Sequence, residues 1–600
     1  MSNVNDFVIS VATANGSGSQ SSNNVLVRSL FRMGIPVGGK NLFPSNIQGL
    51  PTWFTIRANE KGYTARKRLA DVVIAMNPQT AVEDLKLLRP GGHVLWNADI
   101  KVADDSILKG FNVTKIPFKD IVSKVSDSVK LRKLLVNMAY VGVLAELMDI
   151  PESVTDEVIH HQFGSKGSVI ETNKKALAAG RNYARENLGN FQFPYKAEAR
   201  QGQNDGKILI DGNSAAAAGL VFGGCTFVAW YPITPSSSVV ESFIEMAEKY
   251  RVRPDGKHDF AVVQAEDELA SIAMVVGAGW AGARAVTATS GPGVSLMAET
   301  AGLAYYAEVP AVIWDVQRVG PSTGLPTRTM QGDLLSAYYL SHGDTKQVVL
   351  LPTCVNECFE FGQVAMDLAE ELQTLVIVLS DLDIGMNLHM TPKFKYPTQP
   401  IARGKVLHRE DLEKMGGFKR YQDVDGDGVP YRTVTGTHHS KAAYFTRGTG
   451  HDEAGLYSEK PEIYKANMDR LARKFETAKL KVPAPIVERQ SGCKVGVLSF
   501  GSSVEAVREA RETLQASGLQ TNNLILRALP LHAEVTRFFN ENDRVYVIEQ
   551  NRDGQLASIL KAEMPQYWSK IKSVLHYDGM PLDAEFVIDE IQKGEAAWRS

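Results

Sequence analysis

The sequence predicts a multi-domain α/β protein with mostly parallel sheets flanked by helices. Three observations carry that reading. At 600 residues the chain has room for roughly three or four domains. Strand-sized apolar runs alternate with segments of helical period, the order that produces doubly wound sheets. Several of those runs lead straight into loops rich in glycine, proline and hydroxyl residues, and in such a sheet the strand ends form the ligand-binding edge.

Composition narrows the function classes. A hydrophobic content of 44% and a charged content of 22% are those of a soluble globular chain. The net charge of -3 gives no hint of nucleic acid or an anionic membrane surface as partner. No apolar run is long enough to span a bilayer, and residues 1–6 lack the basic and apolar regions of a signal peptide, so the expected location is cytoplasmic. The four cysteines, Cys225, Cys354, Cys358 and Cys493, form no C-x-x-C pair. They read as buried, reduced thiols rather than as a zinc or iron–sulfur site, and no metal ligand is assigned in this chain.

Taken in order, residues 6–14 form an apolar run followed by Asn15-Gly16-Ser17-Gly18-Ser19-Gln20 and a helical pattern over 25–33. This is strand, glycine-rich loop, helix, but neither a Walker loop nor a full G-x-G-x-x-G. Strands follow at 71–76 and 93–96, and an apolar helix at 137–150. The first α/β domain is placed at 1–190, doubly wound, and a polar linker at 191–207.

A second domain spans 208–386, with strands expected at 222–231, 260–264, 285–289, 311–316 and 375–379. Three of them end in notable loops: Trp230-Tyr231-Pro232-Ile233-Thr234-Pro235-Ser236-Ser237-Ser238, Thr289-Ser290-Gly291-Pro292-Gly293, and the run 317–327 containing Gly320-Pro321-Ser322-Thr323-Gly324. In the first, Thr234 suits a helix N-cap and Pro235 the first helical position, a turn that offers free N–H groups to an anion. Gln264-Ala265-Glu266-Asp267-Glu268 opens the next helix, where acids ordinarily complement the dipole. Residues 387–490 read as an irregular polar segment. Its Asp423, Asp425 and Asp427 resemble the start of a calcium loop, but Val434 stands where the closing glutamate belongs, so an Asp/Gly-rich turn is expected. The last domain, 491–600, starts on the strand 493–500 and includes another at 543–551.

The order Y-P-I-T-P-S-S at 231–237, Gln264-Ala265-Glu266, T-S-G-P-G at 289–293 and G-P-S-T-G at 320–324 resembles the α subunit of 2-oxoacid:ferredoxin oxidoreductases. Residues 1–190 are similar to the family's γ subunit, fused at the N-terminus, although Gly16 to Gln20 departs from its usual glycine-rich loop. The resemblance implies a γ-type domain, a pyrimidine-binding-type thiamine diphosphate domain and a transketolase-C-like domain. It implies that Glu266 is the carboxylate set against the aminopyrimidine of thiamine diphosphate. It implies that Thr234 and Arg318 hold the carboxylate of the 2-oxoacid, with Thr327 adding a contact, since arginine can bind a carboxylate through two parallel hydrogen bonds. It also implies that Tyr231, Pro232, Ile233 and Gly291 are the remaining cofactor contacts. A β subunit would bring Mg²⁺ for the diphosphate and an iron–sulfur cluster, ferredoxin would take the electrons, and coenzyme A would be co-substrate. A dimer of αβ units fits the family, and the reverse reaction would fix carbon dioxide.

The fused layout suggests 2-oxoglutarate, with Arg328 as a spare cation for a distal carboxylate or else an ordinary surface arginine. Pyruvate and branched-chain 2-oxoacids are the near alternatives. A non-catalytic scaffold is the competing class, opposed by the joint presence of Thr234, Glu266 and Arg318. An NAD-linked oxidoreductase lacks its fingerprint beside any strand.

Overall fold

A computed structural model describes residues 3–44, 47–102, 104–164 and 167–599. Met1 and Ser2 of the stretch searched for a signal peptide lie outside them. The chain forms two compact units, one of residues 1–210 with 387–393, the other of 211–386 with 394–600.

The first unit is built on a six-stranded sheet. Its strands are Phe7–Ala14 (β1), Val37–Leu42 (β2), Pro51–Ala58 (β3), Ala70–Ala75 (β4), Leu88–Asn97 (β5) and Asn112–Ile116 (β6). The order is β2-β3-β1-β4-β5-β6. From β1 outward through β4 to β6 the pairing is parallel, which is why β1 and β4 are apolar on both faces. β3 runs antiparallel to both of its neighbours, so the sheet is mixed rather than simply doubly wound. The alternating pattern of β3 shows one face more buried than the other, and this two-strand extension was not read from the sequence. The helix Ser19–Arg32 (α1) follows the Gly16–Gly18 loop, with Gly18 left-handed at its N-cap. The helix expected at 137–150 starts earlier, at Val129, because Ser128 accepts a cap hydrogen bond from Leu131 N at 3.3 Å. This helix, Val129–Leu147 (α2), lies against Gly167–Leu188 (α3). A Cβ on Gly142 or on Gly180 would sit 2.1 Å from a carbonyl of the facing helix, so the two glycines set the close approach. Within residues 191–207, Phe193 and Tyr195 are buried and Tyr195–Lys196 pairs with Asn3–Val4, so aromatic anchors fasten this segment to the unit.

The second unit contains a seven-stranded and a five-stranded sheet. A buried helix, Gly212–Phe222 (α4), comes first. The seven-stranded sheet comprises Phe227–Trp230 (β7), Ala261–Gln264 (β8), Ala285–Thr289 (β9), Ala311–Gln317 (β10), Val348–Leu350 (β11), Leu375–Asp381 (β12) and Ala528–Leu529. Their order is β8-β7-β9-β10-β12-β11, then Ala528–Leu529, the one antiparallel member. The strand expected at 222–231 is shorter, because the glycine-interrupted apolar run before it is the end of α4, stopped at Gly223 and Gly224. The helices Ser237–Tyr250 (α5) and Glu268–Ala281 (α6) follow β7 and β8. The five-stranded sheet lies in the last 115 residues or so and carries Val495–Ser499 and Arg544–Glu549 at its centre.

The segment 387–490 is not uniformly irregular. It contains the 21-residue helix Pro461–Lys481 (α7), with proline at its first position, where the missing N–H would be unpaired anyway. Arg470 and Lys474 of α7 are buried against Glu308, at 2.7 and 2.8 Å. Asp425 and Asp427 bind Lys405 at 2.7 and 2.8 Å, while Asp423 binds Arg473 at 3.2 Å. Those acids are therefore paired with cations, in keeping with a turn. Cys225 and Cys358 are buried and free. Cys354 is exposed and Cys493 partly so, which corrects the expectation of four buried thiols and reflects their positions at a helix N-cap and a turn.

Candidate functional site

The parallel strands β7, β8, β9 and β10 place their C-terminal ends on one edge of the sheet. Trp230 pairs with Gln264, and Ala265 N donates to Trp230 O at 2.8 Å. That register sets Glu266 beside Tyr231 and Pro232. Thr289 pairs with Asp315, which brings the Gly291 loop alongside the exit of β10.

The turn after β7 differs from its sequence reading. α5 starts at Ser237, not at Pro235, and Thr234 is not its cap. Ile233 O instead gathers the turn, accepting from Ser236 N at 2.9 Å and Ser237 N at 3.1 Å and from both serine hydroxyls. With several hydroxyl residues in succession the local pattern offers several caps, and the chain satisfies the turn through a carbonyl. Asn213 Nδ2 holds it from behind, donating to Pro235 O at 2.9 Å. Thr234 is left half-buried with its carbonyl accepting from Arg318 Nη1 at 2.7 Å.

The three neighbouring acids have separate environments. Asp267 caps α6, accepting from Ala270 N at 2.7 Å. Glu268 is buried, its side chain against the Gly293 turn. Glu266 is exposed, and among the described residues its carboxylate has no hydrogen-bond or ion-pair partner. Tyr231 beside it is 39% exposed.

Arg318 and Gly291 line a cleft of about 870 Å³, together with Ser322 and Thr323 of the G-P-S-T-G loop and Asn551, Arg552 and Tyr577 of the C-terminal region. Burial draws the Arg318 guanidinium down from the usual arginine range, while Asp333, Asp315 and Glu268 pull the other way. Thr327 is buried beneath the loop. Arg328 Nη1 donates to Thr327 O at 2.9 Å and to Thr327 Oγ1 at 3.2 Å. Among the described residues no group of three or more His, Cys, Asp or Glu could hold a metal ion.

Residues 218–445 match the family model "Pyruvate flavodoxin/ferredoxin oxidoreductase, thiamine diP-bdg", and residues 8–183 match "Pyruvate ferredoxin/flavodoxin oxidoreductase". The chain is 29% identical to 2-oxoacid:ferredoxin oxidoreductase 2, subunit alpha, of Aeropyrum pernix, over 96% of each chain. It is 32% identical to 2-oxoglutarate synthase subunit KorA of Archaeoglobus fulgidus, over 64% of this chain and 99% of that one. The chain belongs to the 2-oxoacid:ferredoxin oxidoreductases, as an alpha subunit. A solved 2-oxoglutarate:ferredoxin oxidoreductase from Magnetococcus marinus, with 2-oxoglutarate, coenzyme A and succinyl-CoA bound, superposes with a TM-score of 0.88 at 30% identity, covering 98% of this chain and 99% of that one.

In this 2-oxoacid:ferredoxin oxidoreductase subunit, sequence reading missed two carboxyls at the cleft. Asp333 lines it, and Asp315 lies fully buried behind. The signal for Asp315 was present, since an acid in the middle of the apolar strand AVIWDVQ has to find a partner. Asp333 stands in a loop whose position no local pattern reveals.

Proposed function

We propose that this alpha subunit forms one wall of a thiamine diphosphate site and, together with a β subunit, interconverts 2-oxoglutarate, coenzyme A and oxidised ferredoxin with succinyl-CoA, carbon dioxide and reduced ferredoxin. The observation that carries this reading is Glu266: an open, unpartnered carboxylate beside Tyr231, on the ligand-binding edge of the domain that matches the thiamine-binding model. A carboxylate with a free lone pair next to apolar and aromatic surface fits the aminopyrimidine end of the cofactor. The described residues offer no metal cluster for its diphosphate end. In this reading Mg²⁺ and the iron–sulfur cluster belong to the β subunit, and the site is completed by a second chain.

Bound thiamine diphosphate supplies the electron sink for loss of carbon dioxide from a 2-oxoacid. The chain's own part is positioning and proton handling. Glu266 would hold a proton against the aminopyrimidine ring nitrogen of the bound cofactor, and Tyr231, Pro232, Ile233 and Gly291 would be the other residues that hold it. Arg318, its orientation fixed by the Thr234 carbonyl, receives the carboxylate of the 2-oxoacid through its fork, and the Thr234 hydroxyl adds a second donor. Thr327 supports that loop from beneath. Ferredoxin accepts the electrons through the partner's cluster, and the working assembly is a dimer of αβ units.

For 2-oxoglutarate the support comes from the relatives named as 2-oxoglutarate synthase subunits and from the Magnetococcus marinus enzyme. The test is the kcat/KM of the purified complex for 2-oxoglutarate and pyruvate with ferredoxin as acceptor. A preference for 2-oxoglutarate of at least about tenfold is expected, the scale that a few buried contacts provide. Equal turnover of the two would overturn the narrow assignment.

A further inference from the structure

The loop 329–333 shares the cleft with Arg318, and it is fastened to the C-terminal region. Met330, Gly332 and Asp333 line the cleft. Thr329 N donates to Gly579 O at 3.1 Å and Gln331 N to Gln550 O at 2.8 Å. Gln331 O accepts from Asn551 Nδ2 at 3.0 Å, and Gly332 O from Gln555 Nε2 at 2.6 Å. Just past the loop, Leu335 N donates to Gln555 Oε1 at 2.9 Å.

Among these links the side chain of Gln331 is wholly buried. Its Nε2 donates to Phe500 O at 2.8 Å, and its Oε1 accepts from Gln550 N at 3.0 Å and from Ser503 Oγ at 3.1 Å. A Cβ on Gly501, whose φ is +55°, would stand 2.7 Å from that Nε2, so even a methyl group would crowd the amide. Phe500 to Ser503 follow the strand Val495–Ser499, and Gln550 and Asn551 follow Arg544–Glu549. The two strands are parallel neighbours, and their C-terminal ends form the edge at which such a sheet ordinarily takes a ligand. Here that edge receives the Gln331 amide, whose donor and acceptor are both satisfied there.

The same socket reaches the seven-stranded sheet. Ser502 Oγ accepts from Gln550 Nε2 at 2.7 Å and donates to Asp381 Oδ2. Asp381, the last residue of β12, is the register partner of Gln317, the last of β10. Gln317 immediately precedes Arg318. Its Oε1 accepts from Asp333 N at 3.1 Å, and its Nε2 donates to Ser380 O at 3.1 Å. Hydrogen bonds thus run from the C-terminal region to the cleft loop on one side and to the strand ends beside Arg318 on the other.

We infer that Gln331 is a positioning residue through which the C-terminal region holds the loop 329–333 in place, and that this region serves the site by setting the shape of the cleft. The inference rests on the reading of this cleft as the one that receives the 2-oxoacid. Gln331 acts through its neighbours, since Met330, Gly332 and Asp333 reach the cleft and Gln331 does not. A loop released from its socket samples other positions, which weakens substrate binding before it slows turnover.

Two measurements test this, with two variants. Gln331→Met keeps the length of the side chain and removes its hydrogen bonds, whereas Ser503→Ala removes a single donor. The first measurement is amide hydrogen exchange of the full chain. Peptides covering 329–335 are expected to exchange at least about tenfold faster in Gln331→Met, with β7 and β10 unchanged. The second is steady-state kinetics of the assembled complex. Gln331→Met is expected to raise KM for the 2-oxoacid at least about fivefold with kcat within about threefold, and Ser503→Ala to raise KM in the same sense by less. Unchanged exchange over 329–335 would overturn the fastening of the loop. A lowered melting temperature and kcat with KM unchanged is the result of a merely structural role, and it would overturn the positioning role. If Gln331→Met fails to fold, Ser503→Ala decides, and a wild-type KM in that variant contradicts the proposal. Failure of the functional reading itself looks different: the wild-type complex would then turn over no 2-oxoacid while the exchange difference persisted.

Discussion

At the scale of single residues, three acids within three positions have diverged into a cap, a buried side chain and an open carboxylate. Only the last is free to meet a ligand. Replacing Glu266 by alanine should therefore leave folding intact, because no contact within the chain is lost, while lowering kcat of the assembled complex by at least about a hundredfold, the scale of a positioned acid–base group. Thermal unfolding and ferredoxin reduction by the same preparation check the two halves of that statement. The preference for Glu266 over Glu268 comes from motif position, and the exposure of Glu266 against the burial of Glu268 agrees with it. The role of Thr234 could not be read in the same way. Its capping function was inferred from local spacing, whereas the turn closes on Ile233 O and Thr234 is engaged by Arg318, 84 residues away. Asp315 was visible as an anomaly in a strand, whereas Asp333 reaches the cleft only through tertiary structure.

At the scale of elements, the strands of the second unit were largely legible, because buried parallel strands are near-continuous apolar runs. α7 was not, for a physical reason: among its buried residues are Asn467, Arg470 and Lys474 rather than a simple apolar stripe. Those cations are balanced by Glu308, 162 residues from Arg470 in sequence. Burial alone would push the Glu308 carboxyl up, but Arg470 and Lys474 outweigh it and hold the group down to about 2. Because its pKa is depressed on folding, the stability it contributes is present above about pH 4.5 and is lost as pH falls toward 2. Glu308→Gln should cost about 3–5 kcal/mol near neutral pH, since it strands two buried cations. It should also flatten the acid limb of the stability profile, as measured by denaturant unfolding between pH 2 and 5. Asp381 works in the opposite sense. Burial and Asp383 raise it from 3.8 to about 6, so the stability linked to its proton is present below 3.8 and lost as pH rises through about 6. Asp381→Asn should remove that decline between pH 4 and 7.

At the scale of the whole molecule, the ligand-facing sheet edge is built from loops far apart in sequence, and its key carboxylate faces outward without a partner. The role proposed for Glu266 therefore requires a second chain that covers it. The overall architecture was legible in the sequence through motif order, while the mixed sheet of the first unit was not, because β2 and β3 lack the long apolar signature of their neighbours. The most direct test is 2-oxoglutarate- and coenzyme A-dependent reduction of ferredoxin, with thiamine diphosphate and Mg²⁺ supplied, by the purified chain alone and after co-purification with its β subunit. A colourless, inactive chain and a brown, active complex are expected. Turnover by the colourless chain alone would contradict this.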